Sequence, residues 1–250
     1  MRYFLKISYR GTNYHGWQKQ HNALGIQTVV ENALRKVLRH EAELFGSGRT
    51  DTGVHALQQY AHFDTDTALS PGDCRHRLNA VLPQDIAILE VLPVRDQAHA
   101  RFDALRRSYE YHIHQFKNPF LTDQSYFLRI PLNLVRMNEA AALLADFRER
   151  DYACFSKSGG GQQHTLCQVH VAQWYVHSPQ RLVFNISANR FLRNMVRAIV
   201  GTLIEVGTGR ISLQHFRDIL ESQDRRQAGR SVPAQGLYLS GVAYPSEIFR

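Results

Sequence analysis

This chain of 250 residues has few cysteines, few lysines and no long apolar run. The apolar segments are interrupted within a few residues, which excludes a membrane-spanning helix, and the first ten residues alternate like a strand instead of forming a signal-peptide core. Three scattered cysteines, Cys74, Cys154 and Cys167, exclude a disulfide framework and a paired-cysteine zinc site. We therefore expect a cytoplasmic protein with reduced cysteines and no membrane partner.

The shortage of lysine leaves arginine as the main source of positive charge. Five lysines are present, so 25 of the 30 basic residues are arginine, and the formal net charge is +8. A guanidinium makes planar, bidentate contacts with phosphate and stacks on bases, which an ammonium cannot do. The composition therefore predicts an RNA or DNA partner, with an anionic membrane surface as the second choice.

The most informative segment is 46–56, GSGRTDTGVHA, which places one carboxylate, Asp51, in a glycine-rich loop beside Arg49. A loop that only held phosphate would use backbone amides and cations, because a carboxylate repels the ligand. Asp51 is therefore a candidate nucleophile or general base close to a nucleic acid. The alternative is a plain turn in which Asp51 holds Arg49 in place, since clusters of Gly, Asp and Thr commonly form turns.

Hydrophobic periodicity predicts two α+β halves, 1–105 and 106–250. In the first half it predicts strands at 2–9, 58–64 and 86–94 and helices at 26–39 and 70–82. In the second half it predicts a strand at 106–116, helices at 132–148 and 190–206, a hairpin at 170–177 and 181–189, a short helix capped by Ser212, and a last strand at 236–244. The glycines at 159–161 mark a loop that we expect to become ordered on a ligand.

Two arginine-rich segments are candidates for RNA contact. On a helix over 190–206, Arg190, Arg193, Arg197 and Gly201 would share one face, where they could grip phosphates or supply a cation to a buried carboxylate. A solvated helix face is the alternative. In ARFDALRRSYEYHIHQ, arginines alternate with Phe102, Tyr109 and Tyr111, as base stacking requires. Because both tyrosines share one face of a strand, a pair of core tyrosines is the alternative.

His164, Cys167 and His170 have a spacing that resembles a metal site. Successive side chains on a strand alternate faces, so these three do not converge without a bulge, and no fourth ligand is nearby. We therefore predict no metal and no cofactor.

These motifs resemble the tRNA pseudouridine synthases of the TruA type. GRTDTGVHA is similar to their signature GRTDAGVHA, and YRGTNYHGWQ, FDALRRSYEY, FLRNMVRAIVGTL and PAQGLYL are similar to other blocks of that family, in the same order. The resemblance covers essentially the whole chain. It implies the pseudouridine synthase fold, a mixed and mostly antiparallel sheet from two α+β halves, with helices packed on it and a basic cleft between them.

The resemblance also implies a cofactor-free isomerase that converts uridine to pseudouridine at positions 38, 39 and 40 of the anticodon stem and loop of tRNA, working as a homodimer. Asp51 would be the essential acid, kept ionised by Arg197. Tyr109 would stack on the target uracil and assist removal of its C5 proton, Leu237 would pack on the other side of the base, and Arg49 would help flip the uridine. Arg190 and Arg193 are expected to bind the substrate.

Several alternatives stay open from the sequence. The carboxylate could add to C6, attack C1′ or abstract the C2′ proton. Thr52 stands where the signature has alanine, and its hydroxyl could hydrogen-bond Asp51 or complete the turn. A second class of function is a tRNA-binding or chaperone protein with little catalysis, for which Asp51→Ala would be silent. A nucleotide hydrolase is disfavoured because the GK[ST] ending is absent, and a glycosidase because no second carboxylate accompanies Asp51.

Overall fold

The computed structural model describes residues 1–145, 148–157 and 164–250. These residues form two compact units: unit 1 comprises 1–106 and 238–250, and unit 2 comprises 107–237. The last segment thus groups with the first unit, whereas the sequence placed it in the second half. The physical reason is that Tyr238 and Leu239 pair with His55 and Ala56, so the last strand adds to the sheet of unit 1. The glycines at 159–161 lie outside the described residues.

The described residues contain five α-helices and eleven strands, with several strands in succession. The first part contains β1 (Arg2–Tyr9), α1 (Ile26–Leu38), β2 (Phe45–Gly46), β3 (His55–Asp64), α2 (Pro71–Val81), β4 (Ile86–Val94), β5 (Arg106–His114) and β6 (Tyr126–Phe127). There follow α3 (Leu134–Ala142), β7 (Arg150–Asp151), β8 (Leu166–Cys167), β9 (Val169–Ser178), β10 (Arg181–Ala188), α4 (Met195–Gly207), α5 (Leu213–Ser222) and β11 (Leu237–Ala243). The chain is therefore an α+β protein, as predicted. None of the helices in these ranges has the length and apolar character needed to cross a membrane.

Unit 1 is built on a sheet in the order β4-β1-β3-β11. The pairs β4–β1 and β1–β3 are antiparallel, β3–β11 is parallel, and the short β2 adds to β3 in the antiparallel sense. β1 is a central strand with a neighbour on each side, and its Leu5, opposite Ala61 and Val91, is fully buried. Helix α2 packs on β4 and α1 packs on α2, with the apolar face of α1 buried as its periodicity predicts.

Unit 2 has an antiparallel sheet in the order β5-β10-β9, with β6 parallel to β5. Helix α3 packs on β9 and on α4. Asn138 fixes this packing, because its side chain accepts a hydrogen bond from the Trp174 amide at 2.8 Å and donates one to the Trp174 carbonyl at 3.1 Å. The prediction of α3 was too long, since this helix ends at Ala142 and not at residue 148.

The predicted helix over 190–206 is corrected at its beginning. Helix α4 begins at Met195, so Arg190 and Arg193 lie before it and do not form a stripe on its surface. Asn194 has φ = 66°, a left-handed conformation that interrupts a helical run and that asparagine tolerates better than most residues. The Asn189 side chain also accepts a hydrogen bond from the Arg190 amide at 2.7 Å, which keeps this segment out of the helix.

Candidate active site

Asp51 lies in the turn that connects β2 to β3 and is half-buried. The turn is closed by a hydrogen bond from the Val54 amide to the Asp51 carbonyl at 3.1 Å. Gly53 has φ = 77°, which an L side chain rarely adopts, and its amide donates to the Tyr14 carbonyl at 3.2 Å. The backbone around the carboxylate is therefore held from inside the turn and from the segment at 11–17.

The residue before Asp51 is fixed on both its backbone and its side chain. The Thr50 carbonyl accepts a hydrogen bond from the Trp17 amide at 3.2 Å, and the Thr50 hydroxyl shares one with the buried Tyr9 hydroxyl at 2.9 Å. Gly16, with φ = 85°, packs so closely that a Cβ atom there would lie 2.2 Å from the Thr50 oxygen. Close packing of this kind orients a reacting side chain before substrate arrives.

The segment at 11–17 is itself anchored to other parts of unit 1. The Tyr14 hydroxyl donates to Asp85 Oδ1 at 2.6 Å, and the Arg10 amide donates to the Asp85 carbonyl at 2.9 Å. Burial and this hydrogen bond raise the pKa of Tyr14, so its phenol stays protonated and remains a donor. The Gly11 amide donates to His55 Nδ1 at 3.0 Å. Sequence reasoning missed this supporting role, although the two glycines of RGTNYHG are a signal for close backbone approach.

Arg49 and Thr52 lie at the exposed rim of the turn. Arg49 Nε donates to Gln18 Oε1 at 3.0 Å, so Arg49 is held by the 11–20 segment, which differs from the alternative in which Asp51 would hold it. Thr52 is exposed, and its hydroxyl makes no hydrogen bond to the residues that the structure describes. The side chain that departs from the signature therefore points to solvent rather than completing the turn.

In unit 2 the segment 232–237 is held at its first residue by Arg197 of α4 and ends at Leu237. Arg197 Nε donates to the Val232 carbonyl at 2.7 Å, and the Val232 amide donates back to the Arg197 carbonyl at 3.2 Å. The buried Tyr111 hydroxyl donates to the Pro233 carbonyl at 2.8 Å. Leu237, at the start of β11, is buried. The chain from 232 to 237 is thus fixed by side chains from α4 and β5.

Tyr109 is accessible, whereas Tyr111 belongs to the core. Both lie on the same face of β5, as predicted, but Tyr111 is fully buried and Tyr109 is half-buried. The Tyr109 ring stands edge-on to Phe191, with centroids 5.0 Å apart and an interplanar angle of 85°. This contact fixes the plane of the phenol. Phe191 was not predicted as a site residue, and the aromatic position in NRFLRN was the available signal.

The two arginines before α4 have different surroundings. Arg190 Nη1 donates to His164 Nε2 at 2.7 Å. Arg193 is exposed, and its carbonyl accepts a hydrogen bond from the Lys157 amide at 3.1 Å. Gly201 does not leave room for a ligand, because a Cβ atom there would lie 1.8 Å from the Arg230 oxygen. The glycine instead allows the chain at 230–231 to pack against α4.

Comparison with known proteins identifies the family of the chain. A family model described as tRNA pseudouridine synthase matches residues 6–103 and 149–245. The chain belongs to the tRNA pseudouridine synthase family. The tRNA pseudouridine synthase A of Porphyromonas gingivalis is 47% identical over 251 residues, which cover 99% of this chain and 99% of the relative. The protein of the same name from Bacteroides fragilis is 46% identical, covering 99% and 98%, and that from Thermoanaerobacter sp. is 41% identical, covering 96% and 98%.

Membership of this pseudouridine synthase family confirms the resemblance seen in the motifs and makes the chain an isomerase by family. The matched residues include Arg49 and Asp51 in unit 1 and Arg190, Arg193, Arg197 and Leu237 further along the chain. Tyr109 falls between the two matched ranges. Its assignment therefore depends on its half-buried position on β5 and on the block FDALRRSYEY.

The histidines and cysteine at 164–170 have no arrangement typical of a metal centre. Cys167 is buried, and burial raises the pKa of its thiol to about 12, which opposes the thiolate that a metal ligand requires. His164 is exposed and bonds Arg190. Among the residues that the structure describes, no group of three or more His, Cys, Asp or Glu side chains is placed to hold a metal ion.

Proposed function

We propose that the chain isomerises uridine to pseudouridine in tRNA, at positions 38, 39 and 40 of the anticodon stem and loop, with Asp51 as the essential carboxylate. The names of the relatives support the reaction and the substrate. The observation that carries the proposal is the construction of the turn at 50–54. The backbone on both sides of the half-buried Asp51 is fixed there, because Tyr9 and Gly16 contact Thr50 and the Tyr14 carbonyl accepts a hydrogen bond from the Gly53 amide.

The reaction suits a single fixed carboxylate. The N1–C1′ bond breaks, the uracil rotates, C5 joins C1′, the C5 proton is released and N1 takes up a proton from solvent, so the composition is unchanged and no cofactor is needed. Asp51 could add to C6, attack C1′ or abstract the C2′ proton. All three routes need an ionised carboxylate at a fixed distance from the nucleoside, and the rigid turn supplies the fixed position.

The other roles follow from the chemistry of each side chain. Arg197 is the proposed cation partner of Asp51, because its Nε bond to Val232 orients the guanidinium. Tyr109 is proposed to stack on the uracil and to assist loss of the C5 proton, with Leu237 as the apolar wall for the base. Arg49, exposed at the rim of the turn, is proposed to help flip the uridine out of the stack.

Arg190 and Arg193 are proposed to contact the RNA, which their place before α4 allows because neither is committed to the apolar face of that helix. We also propose that the chain acts in the cytoplasm as a homodimer, as the motif resemblance implies. Sedimentation of the purified protein tests the homodimer directly.

Tritium release from C5-labelled uridine in a tRNA transcript tests the function. The native protein should release label, whereas Asp51→Asn should bind the transcript and release none. The matched control is Asp66→Asn, which removes an exposed carboxylate elsewhere in unit 1 and should leave release unchanged. Replacing the uridine at 38, 39 or 40 by cytidine should abolish the tritium release from that position and leave the release from the other two unchanged.

Two other outcomes would change the conclusion. Release of label by Asp51→Asn at the native rate would remove Asp51 from the chemistry. Binding by both proteins without release by either would favour the second candidate, a tRNA-binding or chaperone protein with little catalysis.

A further inference from the structure

Four aromatic rings form a continuous row on unit 1, away from the turn at Asp51. Phe45 of β2 stacks on His62 of β3 at 5.1 Å between centroids, His62 meets His99 at 4.5 Å, and His99 meets Phe102 at 4.3 Å. The two inner rings belong to histidines, and the two ends of the row are exposed, Phe45 by 43% and Phe102 by 74%. We call these four residues the aromatic row.

The turn that presents Phe102 is rigid. His99 Nδ1 accepts hydrogen bonds from the Arg101 amide at 3.1 Å and the Phe102 amide at 3.4 Å, and the Asp103 carboxylate accepts one from the His99 amide at 2.8 Å. Below the turn, the Ala100 amide donates to the ring of His62 at 3.2 Å. Phe102 is therefore held in solvent by an ordered backbone and forgoes the free energy of burial.

The surroundings of Phe102 are suited to a nucleotide. The Arg101 guanidinium lies 5.7 Å from the centroid of the Phe102 ring, and Arg106 is exposed a few residues further on. A base can stack on the ring while its phosphate pairs with the guanidinium. A second copy of this chain, with its net charge of +8, would bring the same positive charge to the row, so charge favours RNA as the occupant.

The aromatic row is distant from the reacting uridine. His62 lies seven residues along β3 from His55, where the strand begins directly after the Asp51 turn. At about 3.3 Å per residue this separation is roughly 23 Å. The row therefore cannot form part of the pocket around Asp51, and any base stacked there belongs to another nucleotide.

We propose that the aromatic row binds an unpaired nucleotide of the RNA substrate, distant from the uridine that reacts, with its base stacked on Phe102 and its phosphate against Arg101. The inference depends on the proposed function for the identity of the RNA. It assigns a second point of contact that would set the position of the tRNA on unit 1.

A tryptophan placed at the end of the row would report stacking directly. The natural tryptophans, Trp17 and Trp174, are each only 2% exposed, so Phe102→Trp adds an exposed fluorophore to a protected background. Adding a tRNA transcript should quench the new emission, because a stacked base quenches indole. The matched control is Phe120→Trp, at a phenylalanine of unit 2 that is 84% exposed, and its emission should stay unchanged. Equal responses at the two positions, or none at position 102, would overturn the proposal.

Affinity provides the second measurement and separates this inference from the function itself. Phe102→Ala should raise the Kd for the transcript and the KM about tenfold, the scale for loss of one stacked base, with the single-turnover rate at saturation unchanged. Phe102→Tyr, which keeps an aromatic ring for stacking, should bind the transcript with the native Kd. The Kd is also measured in the Asp51→Asn background, where no chemistry is needed. If Phe102→Ala forms pseudouridine with unaltered Kd and KM, the proposed base stacking on Phe102 is refuted and the proposed function stands. If tRNA quenches Phe102→Trp but no pseudouridine forms, the stacking stands and the proposed function is refuted.

Discussion

Gly16→Ala should damage the Asp51 turn more than any change at an exposed position of unit 1. The φ of Gly16 is 85°, and an alanine in the left-handed region costs about 1–2 kcal/mol. The added Cβ atom would also lie 2.2 Å from the Thr50 oxygen and 3.1 Å from the Asp51 carbonyl carbon. Both neighbours are backbone atoms of the turn, so no side-chain rotation relieves the contact.

The size of the effect follows from what must move. Relief of the contact requires a displacement of about 1 Å, a misplacement that costs on the order of a hundredfold in rate when it reaches a catalytic group. The shift also breaks the hydrogen bond from the Trp17 amide to the Thr50 carbonyl, worth about 1 kcal/mol. We therefore expect a loss of roughly 2–3 kcal/mol in the free energy of unfolding, together with a single-turnover rate lowered about a hundredfold.

Urea denaturation and single-turnover tritium release measure the two effects separately. The matched control is Gly48→Ala in the same loop, where a Cβ atom would have no neighbour within 4 Å and the free energy of unfolding should stay unchanged. If Gly16→Ala unfolds at the native urea concentration and reacts at the native rate, the close packing of the 11–17 segment does not position Asp51.

Three further predictions concern single side chains. Tyr9→Phe removes the hydroxyl that hydrogen-bonds Thr50 at 2.9 Å and should lower the free energy of unfolding, measured in urea, by about 1 kcal/mol. In the double variant with Thr50→Val, the free energy of unfolding should fall by less than the sum of the two single losses. Thr52→Ala introduces the alanine of the family signature at an exposed position. It should change the free energy of unfolding by less than about 0.5 kcal/mol and leave the single-turnover rate unchanged. A faster rate would mean that the Thr52 hydroxyl restrains Asp51. Burial lowers the pKa of His62 to about 4, so its neutral form stabilises the fold fully above the ordinary pKa near 6.5, and that contribution falls by about 2 kcal/mol on going to pH 5. Thermal denaturation against pH checks this, and His62→Gln should flatten the dependence between pH 6.5 and pH 4.

Local signals predicted the helices of unit 1 and the loop with the carboxylate. Helix α2 begins at Pro71, directly after Ser70, because proline at the first helical position loses no hydrogen bond, and its sequence shows this without tertiary information. The apolar period of α1 likewise gave its buried face. Asp51 was identifiable because a carboxylate is unusual in a basic, glycine-rich loop, and the motif around it is specific to one family.

Contacts between distant segments account for what the sequence did not predict. The start of α4 depends on Asn189, whose side chain also accepts from the Gln168 amide at 2.9 Å, far outside any helical window. The support of the Asp51 turn by Tyr14 and Gly16 joins segments more than thirty residues apart, so no periodicity reveals it. The pairing of β11 with β3 is of the same kind. Tertiary hydrogen bonds, which local propensity does not encode, decided each of these features.

Because β11 lies near the end of the chain and pairs with β3, the sheet of unit 1 can be completed only late in translation. Residues 238–243 leave the ribosome after all of unit 2, although their partner strand, with the Asp51 turn before it, was made far earlier. Until then the beginning of β3, at His55 and Ala56, has an open edge that the short β2 does not cover, which exposes unpaired backbone groups to other nascent chains. A chain released before this last strand is made would carry Asp51, Tyr109 and Arg197 and still lack both Leu237 and the strand that pairs with the beginning of β3.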